Sequence, residues 1–264
     1  MPKLAANLTY LFTELPLIER FGAASAAGFK GVEILNPYEL EPAAIAAELR
    51  RHGLTQVLLN APAGDPAKGE RGLGALPGRE ADFMAGFERA LAYARATDCK
   101  RLHVLAGMLP KDRRREEFED VFVANLRGAA ERALPDGITL QIEPLNSRDN
   151  PGYLVTTTGD AMSLIERVAR ANVRLQLDLY HCQIMEGDLA IHIQALAGRF
   201  SHVQIAGVPG RHEPDVGEIN YPYLFDLLDE IGYDGWVAAE YRPKVATTAG
   251  LGWAKRWGIG PAPR

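Results

Sequence analysis

Ile138-Thr139-Leu140-Gln141-Ile142-Glu143 is the first of four short runs that decide the fold. The others are Val173-Arg174-Leu175-Gln176-Leu177-Asp178, His202-Val203-Gln204-Ile205 and Trp236-Val237-Ala238-Ala239-Glu240. Each carries a polar residue at or near its C-terminal end. Glu143, Asp178, Gln204 and Glu240 stand 35, 26 and 36 residues apart, and each gap holds one strand, one loop and one helix. Consecutive βα units at that spacing predict a parallel barrel whose rim gathers all four side chains.

Outward from these runs, strands are predicted at Leu4–Leu8, Gly31–Leu35, Leu54–Asn60 and Arg101–Leu105. Helical faces lie between them: Phe83, Phe87, Leu91 and Ala94 form one, and Phe118, Phe122, Leu126 and Ala129 another. Eight strands alternating with helices predict one (β/α)8 TIM barrel, read as a single domain over residues 1–264. Within the strands, apolar and polar residues alternate. Val32 and Ile34 oppose Glu33, Leu102 and Val104 oppose His103, and Leu175 and Leu177 oppose Gln176 and Asp178. The apolar face must meet the helices, so the polar face points into the barrel. Ala61–Gly78, rich in Gly and Pro, reads as a long loop over the mouth, functional or mobile.

Charged residues make up 24% of the chain and the net charge is −5, which argues against a general nucleic-acid or membrane-surface binder. Cys99 and Cys182 form no zinc or redox spacing. No secretory leader or membrane span is read in the chain, so a cytoplasmic protein is expected. Self-association into a homo-oligomer is compatible with all of this.

Three carboxylates converging at a rim repel one another unless a cation neutralises them. Oxygen donors, including a neutral Gln204 amide, suit Mg2+ or Mn2+. The plainer reading makes these strand-end groups that cap helices or pair with Arg. A carboxylate in such a site can take a proton from a carbon beside a carbonyl, and a second can return one from the other side. Glu143 and Glu240, three strands apart, suit those two tasks.

At these residues the chain resembles the hydroxypyruvate isomerase family, within the xylose-isomerase-like barrels. The resemblance runs nearly end to end. It is carried by Gly28-Phe29-Lys30-Gly31-Val32-Glu33, Gly69-Glu70-Arg71-Gly72, Ile142-Glu143-Pro144-Leu145-Asn146, Asp178-Leu179-Tyr180-His181 and Gly217-Glu218-Ile219-Asn220-Tyr221. It implies that Glu143, Asp178, Gln204 and Glu240 bind a divalent metal and that Glu143 and Glu240 transfer the proton. The implied reaction interconverts hydroxypyruvate and 2-hydroxy-3-oxopropanoate (tartronate semialdehyde) through an enediol. Close relatives act on 2-oxo-tetronate, one carbon longer. Related sugar epimerases imply substrate contacts at His181 and Arg211. A metal-dependent DNA-repair endonuclease on the same barrel is a distant alternative, since such enzymes cluster more metals and more histidines. The family pattern continues Ile-Ala-Asp where this chain reads Ile205-Ala206-Gly207.

Secondary candidates follow. His181 either donates to a substrate oxygen, orients a carboxylate, or is a helix-start histidine facing solvent. In the long loop, Arg71 is positioned to clamp a substrate carboxylate, with Glu70 beside it, or the two residues form a salt bridge that folds the loop. Asn7 ends the first strand and either lines the pocket or caps a helix. His103 and His202 are read as network histidines inside the barrel. Arg113-Arg114-Arg115 reads as a solvated helix start, and Trp253 and Trp257 as packing groups.

Overall fold

The computed structural model describes residues 3–260. Residues 1–2 and 261–264 of the expected domain lie outside them. Eight parallel strands close into a barrel in sequence order. They are β1 (Lys3–Asn7), β2 (Gly31–Ile34), β3 (Thr55–Asn60), β4 (Arg101–His103), β5 (Thr139–Ile142), β6 (Val173–Asp178), β7 (Phe200–Ile205) and β8 (Trp236–Ala239). The seam is parallel like the rest, with Ala5 opposite Ala238 and Ala6 opposite Ala239. All eight expected strands are present, β6 with the expected bounds and the others with bounds moved by one or two residues. The helices are α1 (Leu17–Ala26), α2 (Pro42–His52), α3 (Glu80–Thr97), α4 (Arg115–Ala133), α5 (Thr158–Val168), α6 (Leu179–Met185), α7 (Leu189–Ala195), α8 (Tyr221–Glu230) and α9 (Thr247–Gly250). No helix among the described residues is long and apolar enough to cross a membrane.

Local chemistry sets several boundaries. Thr157 and Asp160 form a reciprocal capping box at the start of α5. The Asp178 carboxylate accepts from the backbone N–H groups of Tyr180 and His181 and so opens α6. Gly53 ends α2 in the left-handed region, φ 62°.

Strand parity sorts the side chains as expected. Val32, Ile34, Leu140, Ile142, Leu175, Leu177, Val203 and Ile205 join the main core with the helices. Glu33, His103, Gln141, Gln176, His202 and Gln204 are buried. They fill the barrel with polar groups, beside a small inner apolar cluster of Ala5, Val57 and Ala238 against Trp236. Trp236 is accommodated because β2 begins with a glycine. A Cβ on Gly31 would approach Trp236 Cζ3 and Val57 Cγ2 to 2.7 Å.

The long loop after β3 is tied down rather than free. The Gly74 N–H donates to Leu105 O (3.1 Å) and the Ala75 N–H to Ala106 O (2.7 Å), while Leu73 and Ala75 are buried. Arg113 and Arg115 form i,i+4 pairs with Glu117 and Glu119 on the outer surface. Trp253 and Trp257 pack on each other, and Trp257 packs edge-on to Phe225.

Candidate active site

Glu143 follows β5, Asp178 ends β6, Gln204 lies near the end of β7, and Glu240 follows β8. All four are buried and all sit at the C-terminal mouth of the barrel. Oxygens of Glu143 and Asp178 and a ring nitrogen of His181 lie within 4.8 Å of one another. His181 Nε2 is 3.6 Å from Asp178 Oδ2 and 4.0 Å from Glu143 Oε1. The solvent-facing reading of His181 therefore fails: the ring is buried, and Asn146 determines its tautomer. The Asn146 backbone N–H donates to Nδ1 at 3.0 Å, so the neutral ring carries its proton on Nε2, toward the carboxylates. Burial and the Arg211 charge hold this imidazole well below the usual histidine range, so it is neutral.

Glu240 stands on the other side of Asp178, joined through Arg211. The Arg211 guanidinium donates to Glu240 Oε1 and lies 3.9 Å from Asp178 Oδ2. It is itself packed between the rings of Tyr10 and Tyr180, each 5.0 Å away. Glu240 Oε2 accepts from Asn7 Nδ2 (2.9 Å) and Gln204 Nε2 (2.5 Å). Those same two amides donate to Glu33 Oε2, each at 3.0 Å, and Glu33 in turn meets His202. Gln204 thus presents its nitrogen to Glu240 and turns its oxygen to Gln176 Nε2 (2.6 Å). Glu240 is engaged as well, both its oxygens being bonded to Arg211, Asn7 and Gln204, and it lies outside the close group of ligand atoms formed by Glu143, Asp178 and His181.

The electrostatics of the cluster call for a cation. Burial first, then the charges of Glu240 and Asp178, push the Glu143 carboxyl well above its ordinary range. Burial likewise raises Asp178, and raises Glu240 to about 8, with Arg211 opposing in both cases. Beside one guanidinium, burial and mutual repulsion oppose ionising Glu143, Asp178 and Glu240 together, and a divalent ion would relieve that repulsion. Glu143 Oε1 also has no hydrogen-bond partner. Burying an unpaired carboxylate oxygen is costly unless a ligand meets it. An oxygen-rich donor set with one imidazole suits a hard divalent cation.

The remaining candidates divide. Asn7 is inside the cluster, as described. Arg71 lies at the rim, its Nη1 donating to Asn150 Oδ1 at 3.1 Å, so it bridges the loops after β3 and β5. Glu70 is occupied within its own loop. It accepts from Arg79 and from the Asp65 N–H (2.6 Å), which is the loop-folding role, although the partner is Arg79 and not Arg71. His103 contributes to the network, with Nδ1 3.3 Å from Glu143 Oε2, and burial keeps it neutral, its pKa pushed down to about 3. Tyr10, Asp149 and the Glu33–His202 pair were not singled out as site residues from sequence. Glu33 had a signal in its inward parity, whereas Asp149 reaches the site only through Tyr180 Oη (2.8 Å) and Asn146.

Gly207, where the family pattern has Asp, is explained by the loop that carries Arg211. A Cβ there would meet Val216 O at 2.2 Å and Glu213 O at 2.6 Å. Gly207 accepts from the Arg211 N–H at 2.7 Å, closing a turn that holds Arg211 at φ 55°. Gly207→Asp is expected to lower stability by about 1–3 kcal/mol, the usual cost of overpacking, read from urea denaturation midpoints.

Residues 21–257 match the xylose isomerase-like TIM barrel family. A 2-oxo-tetronate isomerase from Cupriavidus necator is 51% identical over 97% of this chain and 98% of its own length. The hydroxypyruvate isomerase of Escherichia coli is 42% identical over 96% and 98%. A Brucella melitensis protein, its crystal structure named AP endonuclease, family 2, superposes with TM-score 0.96. It is 51% identical over 97% of this chain and 99% of that one. The chain belongs to the xylose isomerase-like TIM barrel family and is an isomerase, like the curated relatives that it matches over nearly its whole length.

Proposed function

We propose that the chain isomerises a short hydroxy-keto acid by proton transfer between Glu143 and Glu240, with 2-oxo-tetronate preferred over hydroxypyruvate. The observation that carries this reading is a pair of buried carboxyls, both raised above their ordinary range, at the ends of β5 and β8 with Asp178 on β6 between them in barrel order. A carboxyl raised in this way is a stronger base once ionised, and a bound cation would favour that ionised form. One glutamate takes the proton from the hydroxyl-bearing carbon, and the carbonyl passes to that carbon through an enediol. The other glutamate delivers a proton to the former carbonyl carbon, and the hydroxyl proton moves between the two neighbouring oxygens. His181 Nε2–H and the Arg211 guanidinium are the donors that can hold those oxygens as charge develops. Arg71 at the rim can take the substrate carboxylate in two-point fashion. Asn7 fixes Glu240.

Glu143, Asp178 and Glu240 would hold a divalent cation, Mg2+ or Mn2+, with Gln204 as fourth ligand once its oxygen turns from Gln176. Such an ion supplies Lewis acidity to the substrate carbonyl. The preference for the four-carbon acid draws on the 51% identity to a 2-oxo-tetronate isomerase against 42% to a hydroxypyruvate isomerase.

The name of the Brucella structure favours a second reading, DNA cleavage. Nucleic-acid binding needs exposed basic groups facing phosphates. Arg211, the cation that meets this cluster, is instead buried between two tyrosines. The purified protein should turn over 2-oxo-tetronate with a kcat/KM at least about tenfold above that for hydroxypyruvate, a difference of about 1.4 kcal/mol in transition-state binding. A chelator should abolish both activities, and abasic duplex DNA should remain intact. A reversed preference would overturn the substrate assignment. Cleaved DNA with neither acid consumed would overturn the isomerase reading.

A further inference from the structure

We propose that Cys182, Glu186 and His192 form a second divalent-cation site, suited to zinc-class ions, on the outer shoulder where α6 meets α7. This site is independent of the isomerase reading. A thiol sulfur, a carboxylate oxygen and a ring nitrogen from these residues lie within 4.8 Å of one another. Cys182 is on α6, Glu186 follows its last turn, and His192 is on α7. The Cys182 thiol donates to Glu186 Oε1 at 3.9 Å, and His192 Nε2 lies 4.0 Å from Glu186 Oε2.

The group is built, because a fourth residue orients it. Thr158, at the start of α5, donates its N–H to Glu186 Oε1 (2.8 Å) and its hydroxyl to Glu186 Oε2 (2.9 Å). With its proton given away, the Thr158 oxygen can only accept, and His192 Nδ1 stands 3.3 Å from it. An Nδ1 proton directed at that oxygen leaves Nε2, 4.0 Å from Glu186 Oε2, as the ring atom that can take an ion. Nε2 and the Glu186 carboxylate face one partly buried gap, where a divalent ion would be held by both. Metal-binding histidines are commonly oriented in this way, by an oxygen acceptor on the other ring nitrogen.

The donor set determines the ion. Sulfur and imidazole favour zinc and its neighbours over magnesium, while the oxygen-rich cluster at the barrel mouth favours the hard ions. Binding replaces the thiol proton, which leaves to water. The bound ion would tie the seven-residue α6 to the seven-residue α7.

Cobalt(II) is the probe, added to the full chain in saturating magnesium so that hard-cation sites are filled. The expected result is one equivalent bound with a near-ultraviolet thiolate-to-cobalt charge-transfer band, which zinc competes away. Cys182→Ser should remove the band. His192→Ala, at a partly exposed position where folding is not at stake, should weaken cobalt binding about tenfold or more. A wild-type protein without the band, a band that survives Cys182→Ser, or unchanged affinity in His192→Ala would each overturn the proposal.

Discussion

Glu143→Gln should lower kcat by about 10²–10⁴-fold, the range associated with losing a positioned general base, while the melting temperature of the metal-free protein stays level or rises. The amide has nearly the shape of the carboxyl, so the pocket keeps its packing. It cannot accept a proton from carbon. It also removes one of three buried like charges, and Glu143 Oε1 has no hydrogen bond to lose. Activity and stability thus move in opposite directions, which a generally damaged fold cannot produce. Glu240→Gln should lower kcat similarly, but its oxygens are bonded to Arg211, Asn7 and Gln204, so stability should fall with it. Single-turnover assays on either substrate, paired with circular-dichroism melts, check both. Full activity in both variants would remove the proton-transfer assignment.

Glu33→Ala should cost about 1–3 kcal/mol, the range for leaving a buried polar group without its partner. Glu33 and His202 are fully buried and in contact, and Glu33 Oε2 accepts from both Asn7 and Gln204. Removing the carboxylate leaves the His202 imidazole without its partner and takes from Asn7 and Gln204 one of their two acceptors, the other being Glu240 Oε2. The Glu33→Leu/His202→Leu double variant should recover part of the loss, because replacing both polar partners avoids the unpaired remainder. Urea midpoints measure both. A cost under 1 kcal/mol for Glu33→Ala would mean that the pair is incidental to the barrel interior.

Much of the fold was readable because period-two alternation separates a barrel's inside from its outside. Glu33, His103, Gln176 and Gln204 all fell on the correct face from parity alone. Strand ends were less visible. The run at Arg101–Leu105 leaves the ladder after His103, and Leu105 O is taken by Gly74 of the long loop. β7 begins at Phe200, two residues before the expected His202, beside a register shift in its pairing with β6. In the site, strand-borne groups were legible and loop-borne geometry was not. No spacing says that Glu70 folds its own loop through Arg79. Nor does any say that Tyr10 and Tyr180 clasp Arg211, because those contacts depend on how separate loops turn toward the axis. The orientation of Gln204 was equally hidden, since it follows from cross-barrel partners on β2 and β6.

The hydrogen bond from Asn7 to Glu240 joins residues 233 positions apart, across the β1–β8 seam. The first and last strands of the barrel therefore meet at Glu240. During synthesis Glu240 is translated after all eight strands, and its orientation depends on a partner on the first of them. Turnover should accordingly appear only when the last stave has docked against the first, making catalytic competence itself a reporter of barrel closure.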